Sequence, residues 1–151
     1  MTKTPMEYAL AEAEAAARRG EVPVGAVIVD PADRRIVAAA GNRTRELNDP
    51  TAHAEILAIR SACAALGQER LPGLDLYVTL EPCAMCAGAI SFARIRRLYY
   101  GAEDPKGGAV GHGPRFFAQA TCHHAPEIYD GIAASAAAAL LRAFFEERRQ
   151  G

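Results

Sequence analysis

Apolar residues recur along the chain with two different periods, and each change of period marks an element. From Thr4 to Gly20 the positions Met6, Ala9, Leu10, Ala13 and Ala17 fall at helical spacing. Thr4 suits the N-cap, Pro5 the first helical position and Glu7 the closing position of a capping box, while Gly20 supplies the stop. Val22 to Val29 is nearly continuous and rich in β-branched residues, which predicts a strand buried on both faces. Asp30 to Asp33 reads as a turn, and Ile36 to Ala40 returns as an edge strand. Gly25, without a side chain in mid-strand, marks a close approach of backbone or ligand.

A polar loop, Gly41 to Pro50, leads to a helix expected from Ala52 to Leu66, with Thr51 as its cap and Gly67 as its stop. Its apolar stripe Ile56, Ile59, Cys63 and Leu66 places Cys63 in the core. Leu74 to Leu80 reads as a third strand, broken by Glu81-Pro82. Pro82 suits the first turn of a helix from Cys83 to Phe92. Arg97 to Gly101 is a fourth strand, followed by a Gly-rich loop from Glu103 to Gly113. Ile128 lies in a short fifth strand, and a last helix from Ala133 to Arg149 should bury Leu140, Leu141, Phe144 and Phe145. Neither repeat nor linker interrupts this order. Helices alternating with buried strands imply one α/β domain over residues 1–151, in three layers about a single sheet.

Composition narrows the picture only slightly. Half of the 151 residues are hydrophobic and 23% are charged, which fits a globular chain rather than a disordered one. A net charge of -1 points to no polyelectrolyte partner by itself. The one basic excess is Arg94, Arg96, Arg97, Lys106 and Arg115 against Glu103 and Asp104. The first residues lack the apolar core of a signal peptide and no apolar run is long enough for a membrane span, so a cytoplasmic protein is expected. There thiols stay reduced, and the four cysteines read as ligands, catalytic groups or core filler.

Chemistry concentrates in Thr51-Ala-His-Ala-Glu55 and Glu81-Pro-Cys-Ala-Met-Cys86. Cys83 and Cys86 share a helix face one turn apart, at a helix start that favours thiolates. His53 is expected in the first turn of the preceding helix. These three residues supply the ligand count of a catalytic zinc, which keeps its fourth position for water. Glu55 is then free to carry a proton between that water and a leaving group. The pairing suits hydrolytic removal of an amine from an aromatic ring, and H-x-E followed by P-C-x-x-C is a known signature of zinc nucleobase deaminases.

Blander accounts exist. A lone C-x-x-C at a strand-to-helix junction also suits a thioredoxin-like redox pair. A purely structural zinc would recruit a fourth ligand from Cys122, His123 or His124, and the same three residues could form a second metal site or simply line a cleft.

The two motifs resemble those of the cytidine/nucleotide deaminase superfamily, and the chain is more closely similar to the bacterial tRNA-specific adenosine deaminases. The resemblance rests on Glu21 to Ala26, Gly41-Asn-Arg43, Asp49 to Glu55 and Leu76 to Ala89. Arg96 to Ala109 and Leu140 to Arg149 extend it. It implies a cytidine-deaminase-like fold, a five-stranded mixed sheet with helices on both faces, and one zinc per subunit of a homodimer. It also implies conversion of adenosine to inosine at the wobble position of an arginine tRNA. Asn42 would contact the target base, Asp104 and Lys106 would lie near the anticodon-loop backbone, and Phe145 and Arg148 would help hold the loop. Guanine and cytosine deaminases share the metal motifs, so deamination of a free base is the alternative. The chain lacks the Lys-rich tail of some members, and His112 to Phe117 and His123-His124 depart from their common forms.

Overall fold

The computed structural model describes residues 3–150, without the side chains of Arg149 and Gln150. Helix α1 (Pro5–Arg18) starts with the full capping box: Thr4 N donates to Glu7 Oε1 at 2.9 Å, and Glu7 N donates to Thr4 Oγ1 at 3.3 Å. Strands β1 (Gly25–Asp30) and β2 (Arg35–Gly41) form a hairpin, then α2 (Ala54–Leu66) returns to β3 (Asp75–Leu80). Next come α3 (Ala84–Ala93), β4 (Arg97–Ala102), β5 (Glu127–Tyr129) and α4 (Ala134–Gln150).

The sheet order is β2-β1-β3-β4-β5. β1 runs antiparallel to both neighbours, whereas β3, β4 and β5 are parallel, so the sheet is mixed as expected and β2 is an edge. Alternation along β1 separates the two faces. Ala26 and Ile28 join Ala54, Ala58, Ala62 and Ile90 of α2 and α3, while Val27 and Val29 pack with Met6 and Ala9 of α1. Helix α4 lies against β4, β3 and α1. The result is the three-layer α/β/α arrangement of a cytidine-deaminase-like fold.

Gly25 and Gly41 are register partners on neighbouring strands. A Cβ on Gly25 would lie 1.9 Å from Ala9 O, and one on Gly41 would lie 2.7 Å from Glu12 O. The close approach expected at Gly25 is therefore made by the α1 backbone.

Several boundaries differ from the sequence reading. β1 begins at Gly25 rather than Val22, because Val24 N turns back to Val22 O at 2.8 Å and Pro23 has no N–H to give a ladder. Helix α2 begins at Ala54 because the Thr51 hydroxyl bonds Asp49 Oδ1 at 2.7 Å, inside a turn, instead of capping. Its buried stripe is Ala54, Ala58 and Ala62, small residues that let the helix settle onto β1 and β2. Ile59, Cys63 and Leu66 flank that stripe, half-buried. On α1 the buried set is Met6, Ala9, Ala13 and Ala16, with Leu10 and Ala17 at its edge. On α4 the covered positions are Ala137 and Phe144, whereas Phe145, one step around the helix, is 45% exposed. No described helix is long and apolar enough to cross a membrane.

Candidate active site

The ends of β2 and β3 lie at the same edge of the sheet, because β1 pairs antiparallel with both. From there the chain enters α2 through His53 and α3 through Cys83. Both are N-cap residues with extended backbone, at φ -73° and ψ 154° for His53 and φ -75° and ψ 176° for Cys83. This corrects the expectation that they stand within the first turns. Neither side chain caps its own helix. The two helix starts meet instead, with His53 Nδ1 lying 3.6 Å from Cys83 Sγ and 3.5 Å from Cys86 Sγ.

These separations suit a shared cation. A tetrahedral centre with Zn–N of about 2.1 Å and Zn–S of about 2.3 Å sets nitrogen and sulfur about 3.6 Å apart. The three donor atoms lie within 4.8 Å of one another, and among the described residues they form the one such cluster of histidine, cysteine and acidic groups. Two sulfurs and one nitrogen also leave room for water. The bond from Cys86 brings the Cys83 thiol down to about 4, and the bond from Cys83 pushes Cys86 up. His53 is raised by its bond to Cys83, against burial.

Glu55 stands in the first turn of α2 and is 3% exposed. Its Oε1 is buried without a hydrogen-bond partner among the described residues, an unusual state for a carboxylate oxygen. Burial pushes its pKa up to about 7. A group poised there can take a proton and give it back at neutral pH.

Asn42 is buried beside this helix, and its Oδ1 accepts the Ala54 N–H at 2.9 Å. Its Nδ2 has no partner among the described residues. Asp104 folds its carboxylate into its own turn, accepting Lys106 N at 3.2 Å and Gly107 N at 3.0 Å, and Lys106 is left exposed. Arg148 stacks its guanidinium 3.6 Å from the Phe144 ring centre, with Phe145 beside it. Arg148, Arg19 and Arg45 line one shallow groove near Gly20.

The basic run from Arg94 to Arg115 does not form one surface. Arg97 opens β4 and Lys106 follows its end, so about 16 Å of strand lies between them. Arg96 is bound to Asp75 by two hydrogen bonds of 2.8 and 2.7 Å, and Arg97 pairs with Glu127 at 3.4 Å. Cys122, His123 and His124 do not converge on a metal site: His124 Nε2 bonds Ile95 O at 2.8 Å, Cys122 Sγ lies near Ser91 and His124 O, and His123 is exposed.

Two buried carboxylates escaped the sequence reading. Glu21 accepts Arg45 N at 3.2 Å and Glu46 N at 2.7 Å, which holds the loop before His53. Glu81 does the same for the loop after β4. No local signal marked either one, because the amides they accept lie 23 to 31 residues away along the chain.

A His–Cys–Cys cluster with a buried carboxylate beside it, set at two helix starts, suits zinc-dependent hydrolytic chemistry. Residues 1–102 match the family model of the cytidine and deoxycytidylate deaminase zinc-binding region. The chain is 70% identical over 144 residues to a tRNA-specific adenosine deaminase of Agrobacterium fabrum, covering 95% of this chain and 93% of that one. It is 43% identical to the Bacillus subtilis protein of the same name, covering 96% and 89%. A solved structure from a study of A-to-I editing by tRNA:A34 deaminases superposes with a TM-score of 0.88 at 70% identity, over 91% of this chain and 98% of that one. A guanine deaminase from Nitrosomonas europaea superposes at 0.79 with 28% identity, over 93% and 82%. The chain belongs to the cytidine and deoxycytidylate deaminase family and, within it, to the tRNA-specific adenosine deaminases. It is a hydrolytic deaminase, and the family's zinc, one per subunit, suits the His–Cys–Cys cluster.

Proposed function

We propose that the chain, acting as one domain over residues 1–151, converts adenosine to inosine at the wobble position of a tRNA. The observation that carries the chemistry is the unpartnered Glu55 oxygen, buried two residues beyond a histidine that faces two cysteine sulfurs. His53, Cys83 and Cys86 would hold the zinc, which when bound would lower the pKa of a water and so supply the hydroxide nucleophile. Glu55 takes the proton of that water and delivers it to the departing amine nitrogen, so water is consumed and ammonia leaves. Asn42 directs its free Nδ2 toward the target base.

The substrate reading rests on the similarity to proteins named for tRNA adenosine deamination. An anticodon loop already exposes unstacked bases, so burying one costs least there. Lys106, Arg148 and the neighbouring arginines offer phosphate contacts, and Phe145 offers an exposed ring for stacking. The side chain of Arg149, next to Arg148, lies outside the described residues. By the same resemblance the substrate is an arginine tRNA, and the protein works in the cytoplasm as a homodimer. Met85 and Phe92 favour the dimer: they share one face of α3, 37% and 75% exposed, and would be covered by a second copy. The guanine deaminase superpositions favour a second reading, deamination of a free base by the same centre. Ammonia release from an adenosine-34 stem-loop, measured beside free guanine and cytosine, separates the two. Release from a free base alone would end the tRNA reading.

A further inference from the structure

Glu81 occupies the step between the last residue of β3 and the proline that precedes Cys83. Its backbone N–H donates to Ala102 O at 2.8 Å, which fixes it to the end of β4, and its side chain is fully enclosed. Oε1 accepts Asp104 N at 3.0 Å and meets His112 Nδ1 at 2.8 Å. Oε2 accepts Val110 N at 3.1 Å, Gly111 N at 3.0 Å and His112 N at 3.2 Å. These donors fill the four or so acceptor sites of a carboxylate. The loop closes on it without slack, since a Cβ on Gly108 would stand 2.5 Å from both Glu81 Cδ and Oε2. Ala109 N adds a bond to Pro82 O at 2.9 Å.

One carboxylate thus gathers both ends of the loop after β4 and refers them to the backbone that enters the metal cluster. Asp104, held by Glu81 through its own N–H, organises the turn that carries Lys106. A loop needed only for stability would gain little from enclosing a carboxylate that, among the described residues, is met by no lysine or arginine. Anchoring it two residues from Cys83 instead sets the position of the loop's outer surface relative to the reacting centre.

We infer that Glu81 is a positioning residue of the deaminase: its carboxylate sets the 103–113 loop beside the metal cluster and so determines productive binding of the RNA. This rests on the tRNA reading proposed above. Glu81→Gln keeps the shape but turns an amide N–H₂ toward groups that themselves donate. Gly108→Ala displaces the loop without changing any charge. Zinc content, melting temperature, kcat and KM are measured for both variants on an adenosine-34 stem-loop. Zinc stays at one per chain, KM rises about tenfold and kcat changes less than about threefold. Unchanged KM in both variants overturns the inference. So does loss of activity that follows loss of zinc, with activity per bound zinc constant, which marks a structural role only. Protection of the Asp104, Val110 and Gly111 amides from hydrogen exchange supplies a readout independent of turnover: it falls in both variants, and full protection overturns the inference. Turnover of the same stem-loop by the unaltered protein checks the substrate reading separately.

Discussion

Asn42 Oδ1 accepts the Ala54 N–H at 2.9 Å, so a residue of the preceding loop caps α2 in place of the helix's own N-cap residue, His53. His53 is unavailable for capping because its ring faces two sulfurs. One amide side chain thereby ties the start of α2 to the loop and keeps its second polar atom free among the described residues.

That division of labour separates two substitutions. Asn42→Ala leaves the Ala54 N–H unpaired and should lower stability by about 1–2 kcal/mol. Asn42→Asp retains the acceptor, so its melting temperature should match the parent protein, yet it loses the Nδ2 donor and turnover should fall. Thermal melts and a turnover assay on both variants check this. Equal activity in Asn42→Asp would remove Nδ2 from substrate recognition.

Glu55 makes the opposite trade. Its buried oxygen has no partner, so Glu55→Gln should not lower the melting temperature, because no protein hydrogen bond to Oε1 is lost. Turnover should fall by about 10²–10⁴-fold while metal analysis still finds one zinc. Loss of zinc in this variant would make Glu55 a ligand instead.

Cys86 is fully buried and faces His53. With three protein donors gathered among the described residues, Cys86→Ala should lose zinc on metal analysis, and re-added zinc should not restore turnover. Full occupancy in Cys86→Ala would contradict the ligand assignment.

Gly25 carries no chemistry, but its substitution should be among the costliest in the chain. Gly25→Ala places a methyl group 1.9 Å from Ala9 O, against helix backbone that cannot rotate away. A loss of about 3 kcal/mol or more is expected, read as a fall in the denaturation midpoint. A neutral result would mean that α1 can lift off the sheet.

These residues also show which parts of the design are visible in the chain. Cys83 and Cys86 could be grouped from spacing alone, and Gly25 could be marked as a close approach, because each depends on local geometry. The N-cap position of His53 was hidden because Thr51 carries a stronger capping signal and the turn at Asp49 diverts its hydroxyl, and that of Cys83 because Pro82 before it also suits a first helical position. Glu81 was hidden for a different reason. Its partners lie 23 to 31 residues away, and a glutamate before proline reads as a strand end whatever its side chain does. The split of the basic run was hidden because sequence proximity says nothing about which end of β4 a residue occupies.

The central claim is that this centre deaminates adenosine within an RNA loop. The most direct measurement incubates the zinc-loaded protein with an anticodon stem-loop bearing adenosine at position 34, digests the RNA and separates the nucleosides. Zinc-loaded Glu55→Ala serves as the control. Inosine is expected with the unaltered protein and unchanged adenosine with the variant at equal zinc content. Adenosine left intact by the unaltered protein, while free guanine or cytosine releases ammonia, would contradict it.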